Sequence, residues 1–90
     1  MKNDNKQILD RVQNLLNQKS KGKEHLQLQT KNVERDDNVI RVFITSAKDT
    51  RLEDYIHILS EIEYKTQDEI DQESEGNFPP IILLVPDYSE

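Results

Sequence analysis

Ile8, Leu9, Val12, Leu15 and Leu16 recur at the spacing of one stripe on a 3.6-residue helix, while Gln7, Asp10, Arg11, Gln13, Asn14 and Asn17 fill its other faces. A first amphipathic helix is therefore predicted over residues 4–18, with Asp4 placed to cap its first turn. It is expected to end between Lys19 and Gly22, where Ser20 and Gly22 break the pattern and lysines gather at the negative end of the helix dipole. From Glu24 the period shortens to two. His25, Gln27 and Gln29 alternate with Leu26, Leu28 and Thr30, which predicts a strand with one wet face that Val33 extends. The polar, Asx-rich residues 34–38 read as the turn of a hairpin. Val39–Thr45 is β-branched and aromatic, with Ile40, Val42 and Ile44 on one face and Val39, Arg41 and Phe43 on the other, as an interior strand requires.

Thr50 and Glu53 fit a capping box that opens a second helix. Leu52, Tyr55, Ile56, Leu59 and Ile62 form its apolar side, and Glu53, Asp54, Ser60 and Glu61 lie away from it. Beyond Lys65 the periodicity fails: Asp68, Glu69, Asp71, Glu73 and Glu75 surround a single aliphatic residue, Ile70, and residues 66–78 read as an acidic mobile loop with room for a frayed helical turn. Phe78, Pro79 and Pro80 end that stretch, because proline lacks an amide donor and holds the preceding residue extended. Ile81–Val85 is apolar at both parities, as in a strand covered on both faces, and Pro86 stops it. The expected fold is α+β: one small domain over residues 1–90, in the order helix-strand-strand-helix-strand. Two amphipathic helices pack on a three-stranded mixed sheet, with Val39–Thr45 and Ile81–Val85 at its centre and joined by a β-α-β crossover. An antiparallel return of the last strand is the alternative.

Composition narrows the class. Ninety residues at 10.6 kDa, one third hydrophobic and one third charged, with a mean hydropathy of -0.88, leave room for one core built from short apolar segments. The absence of cysteine excludes a disulfide framework, a thiolate metal site and a cysteine nucleophile. The longest apolar run, Ile81 to Val85, is far short of the roughly 20 residues that span a bilayer, so no membrane contact is expected. No apolar segment follows the polar residues Lys2 to Lys6, which makes the cytoplasm the expected location. The net charge of -6 is unevenly divided: nine Lys and Arg against six acids in residues 1–45, three against twelve in residues 46–90. Halves of +3 and -9 disfavour direct nucleic-acid binding and favour a basic protein partner.

Candidate chemistry is sparse. His25 and His57 have no second histidine or cysteine at a ligating spacing. Glu53 and Glu61 flank His57 at four residues, an arrangement that could orient an imidazole, but it is commonplace on exposed helices. None of the serines sits on the Gly-flanked turn of a nucleophile elbow, and Gly22 and Gly76 alone cannot write a dinucleotide fingerprint or a P-loop. Thr45, Ser46 and Asp49 lie at the carboxyl end of a predicted strand, where exposed amides could hold an anion. The acids from Asp68 onward miss an EF-hand, since Gly76 falls at the ninth position rather than the sixth. Lys19, Lys21 and Lys23 could touch phosphates, but without interleaved aromatics a solvated helix end is the plainer reading. No catalytic, metal or cofactor-binding residue is therefore assigned. The expectation is a non-enzymatic, acidic protein-binding module, an inhibitor, immunity-type protein or adaptor, that occupies a basic partner surface through Glu61, Tyr64, Asp68, Glu69, Ile70, Asp71, Glu73 and Phe78. One alternative is a homo-oligomeric assembly subunit, dimerising through Leu9, Val12 and Leu16 of the first helix or through an open strand edge. Another is an acidic nucleic-acid mimic.

Overall fold

Alternation along Val39–Thr45 organises the sheet. In the computed structural model, which describes residues 5–74 and 78–87, this strand (β2) lies between β1 (Gln29–Asp36) and β3 (Ile81–Pro86). β1 pairs with β2 antiparallel through a two-residue turn in which Asp37 takes a φ of 58°, a left-handed conformation that aspartate tolerates better than most residues. β3 runs parallel to β2, so the connection through the second helix is the expected β-α-β crossover. Ile40, Val42 and Ile44 of β2 and Ile82 and Leu84 of β3 are buried on one face. Both helices, α1 (Asn5–Lys19) and α2 (Ile56–Ser74), cover that face. α1 lies against β1, α2 against β3, and the two helices touch each other. Ile8, Val12, Leu15 and Leu16 of α1 meet Ile58, Leu59, Ile62 and Ile70 of α2 in one core, which Tyr55, Leu26 and Leu28 close at the loop end.

Four expectations change. The first strand does not begin at Glu24: Glu24–Leu26 is a 3-10 turn and Gln27 takes a φ of 52°, after which β1 starts at Gln29 and continues through Glu34 and Arg35 to Asp36. Leu26 and Leu28 are both buried, so the period of two was the mark of a loop pinned to the core from one side. Within β1, Thr30 stands opposite Ile44 and Asn32 opposite Phe43, leaving Lys31 as an extra, bulged residue. That bulge lets Thr30 and Val33, an odd number of positions apart, both turn toward the helices.

The second helix also starts differently. Thr50 is not its cap; its hydroxyl donates to the Ala47 carbonyl (2.6 Å) and lies 2.8 Å from Ser46 Oγ, and a 3-10 turn at Leu52–Asp54 precedes α2. The third change is larger. Residues 66–74, expected as a mobile loop, are the second half of α2, and residues 75–77 lie outside the described residues. Leu59, Ile62, Thr66 and Ile70 carry the buried stripe across the gap, but Thr66 is polar and interrupts the hydropathy signal. Last, β3 is an edge strand. Its second face has no cover, and Ile81 and Leu83 are 51% and 37% exposed.

Candidate functional site

The angular positions of its residues divide α2 into four strips, and each strip has a different use. One strip is core. Beside it, Glu69 and Glu73 face α1, where the Arg11 guanidinium lies 3.7 Å from Glu69 Oε1 and 2.9 Å from Glu73 Oε2. On the other flank, Glu63 and Gln67 face the outer edge of β3. Gln67 Oε1 accepts the Ile82 N–H (2.8 Å) while its Nε2 donates to the Pro80 carbonyl (2.8 Å), so the side-chain amide bonds β3 as the next strand would. Glu63 Oε2 accepts the Leu84 N–H at 2.8 Å. The remaining outward position is Pro86, which has no N–H to offer.

The fourth strip faces solvent; Glu61, Tyr64, Asp68 and Asp71 form a ridge along it at spacings of three or four, with Lys65 and Gln72 exposed beside them. Tyr64 is 77% exposed, an aromatic ring standing among three carboxylates. Among the described residues, Asp68 and Asp71 accept hydrogen bonds from neutral amides alone, from Gln72 (3.1 Å) and Gln67 (3.0 Å). Glu61 has a loose contact with Lys19 at 3.8 Å. Thus four of the eight residues expected to contact a partner share a ridge. Glu69 and Glu73 turn onto Arg11, and Ile70 is fully buried, which removes it from contact. Phe78 is 94% exposed but precedes β3, away from the ridge along the chain.

The other candidate chemistries do not assemble. His57 Nε2 lies 3.4 Å from Lys23 Nζ, with neither flanking glutamate as its partner, and His25 is exposed on the 3-10 turn. At the end of β2 the loop uses its own donors: the Ala47 N–H bonds the Leu26 carbonyl (2.7 Å), the Thr50 N–H bonds the Ala47 carbonyl (3.2 Å), and Ser46 Oγ lies 3.4 Å from the buried Tyr55 hydroxyl. The Ala47 and Thr50 amides are thus committed within the fold rather than presented to an anion. Of the lysines at the end of α1, Lys19 meets Glu61 and Lys23 meets His57 on α2. Among the described residues there is no group of three His, Asp or Glu side chains placed to hold a metal ion, and no helix is long and apolar enough to cross a membrane. Comparison with protein-family models, with curated proteins and with solved structures finds no match to this chain.

Sequence reasoning missed Arg11 and Gln67. Neither carries a local signal, because their partners are 62 and 15 residues distant.

Proposed function

We propose that this chain is a small, non-enzymatic protein-binding module, of the inhibitor, immunity-type or adaptor kind, that acts by covering a basic surface of another protein with the outer ridge of α2. The observation that carries this reading is Tyr64, 77% exposed between Glu61, Asp68 and Asp71 on a helix whose other three strips are occupied. Carboxylates steer the approach to a positively charged surface, and an exposed aromatic supplies desolvated contact once the partners meet. The rigid helix limits the entropy lost on binding. Charge complementarity of this kind acts mainly on the association rate and weakens as salt rises.

The test compares tagged wild type with Tyr64→Ala/Asp68→Lys as bait in nuclease-treated source lysate, eluted along a salt gradient. Both substitutions sit on the solvent side of α2 and leave the core and the β3 cap untouched. A protein retained by wild type, released at moderate salt and lost by the variant supports the reading. Equal retention by both baits removes the ridge from consideration. If the captured protein is a nucleic-acid-binding one and free nucleic acid displaces the bait, the module is a nucleic-acid mimic.

A further inference from the structure

Every residue of β3 from Ile81 to Val85 is apolar, yet only Ile82 and Leu84 reach the core. The register sets Ile81 beside Val39, Leu83 beside Arg41 and Val85 beside Phe43, and on the other side of β2 it sets Glu34 beside Arg41. The sheet face turned away from both helices is therefore apolar along β2 and β3 around Arg41, with a polar border on β1 formed by Asn32, Glu34 and Asp36. Lys31 reaches past β2 to Asp87 (2.8 Å) at one end of the sheet.

We propose that this face is where two copies of the chain associate, packing sheet against sheet through Val39, Phe43, Ile81, Leu83 and Val85. Three observations select a second copy as the occupant. First, the sheet edges are guarded. The β3 edge is bonded by Gln67 and Glu63, while on β1 Gln13 Oε1 takes the Thr30 N–H (2.9 Å) and Lys31 forms a bulge. These devices block growth by strand addition and leave the face uncovered. Second, Arg41 and Glu34 stand directly opposite each other on neighbouring strands, yet among the described residues neither has an ionic partner. A face bearing both charges is self-complementary: a two-fold operation brings the same patch with each charge available to the other. Third, the acids of residues 53–73 lie in the helix layer and the turn before it, on the far side of the sheet, so the net charge of -6 opposes this approach least. Three strands about 5 Å apart and about seven residues long at about 3.3 Å per residue give a face of roughly 350 Å² per copy, about 700 Å² over both, the size of a weak, transient interface. The dimer is expected to dissociate in the micromolar range.

The test is sedimentation equilibrium of the full chain from about 1 μM to about 1 mM. The weight-average mass should rise from 10.6 kDa toward twice that value. Leu83→Lys should weaken association at least tenfold, checked by circular dichroism for an intact fold. Because that substitution could loosen β3, a charge swap is the second readout: Arg41→Glu and Glu34→Arg each weaken the dimer, and the double variant restores it. A mass of one chain at every concentration overturns the proposal, as does a dimer indifferent to Leu83→Lys and to both single charge variants. An association lost with Asp68→Lys instead places the contact on α2 and also overturns it. None of these failures touches the partner-binding ridge, which lies on the opposite side of the molecule.

Discussion

Thr66 is the fully buried polar side chain among the described residues, and its hydroxyl has no protein partner. A desolvated hydroxyl without a hydrogen bond costs more than the methyl that would replace it, and valine has nearly the same helix propensity as threonine. Thr66→Val is expected to raise stability by about 1 kcal/mol, seen as a higher urea midpoint at unchanged slope. Arg11 acts in the other direction. Its side chain is 28% exposed and its planar fork spans two carboxylates, a geometry that a lysine ammonium cannot reproduce. Arg11→Lys should cost about 0.5 to 1 kcal/mol, because the pairs are partly solvated, and the loss should shrink in concentrated salt. Glu24 accepts the Gly22 N–H (3.1 Å), and this backbone hydrogen bond holds its carboxyl below the ordinary value. The sign follows from linkage: the bond contributes above the unfolded carboxyl pKa and is lost as pH falls through the lowered folded one. A carbon-detected titration should place Glu24 below the ordinary glutamate value, and a midpoint at or above that value would remove the assignment.

At the scale of elements, α2 shows why an acidic run is not the same as a loop. Residues 66–74 lack an apolar stripe that a periodicity count can see, but each polar residue on the inward flanks has a partner on α1 or β3. Local pairs add support, Gln67 with Asp71, Asp68 with Gln72, and the Ser74 hydroxyl with the Ile70 carbonyl. The first half of α2 was legible because Leu59 and Ile62 repeat at helical spacing; the second half was not, because its anchors are contacts made only after folding. Gln67 is the most consequential of these. Gln67→Ala leaves the Ile82 N–H and the Pro80 carbonyl without their side-chain partner, which should cost about 1 to 3 kcal/mol. It also uncovers the β3 edge, so light scattering at high concentration should rise with the loss of stability. Gln67→Glu, which keeps the acceptor for Ile82 but not the donor to Pro80, should fall between.

For the whole molecule, layer and charge coincide. The helix layer and its approach hold Asp10, Glu53, Asp54, Glu61, Glu63, Asp68, Glu69, Asp71 and Glu73 against Lys6, Arg11, Lys19, Arg51 and Lys65, while the open sheet face carries Arg41, Glu34 and Asp36. Two surfaces of different chemistry therefore look in opposite directions, one suited to steering by charge and one to apolar packing. The association rate with a basic partner should fall about tenfold or more between low and moderate salt, and reversing Asp68 should remove most of that dependence. Stopped-flow mixing across a salt series measures it, and a flat series contradicts steering by the ridge.

What the sequence determined by itself was the class and the order of elements. The stripe of Ile8, Val12, Leu15 and Leu16, the alternation of Ile40, Val42 and Ile44, and the proline stops around Ile81–Val85 are local patterns, and local patterns set period and polarity. Tertiary structure decided the rest. The bulge at Lys31, the helical course of residues 66–74 and the capped edge of β3 all depend on groups distant in the chain. The same holds for the face left bare. Apolar residues at both parities of β3 announced two faces in need of cover, but two helices can both pack on one side of a three-stranded sheet, and only their placement shows which face remains for another molecule.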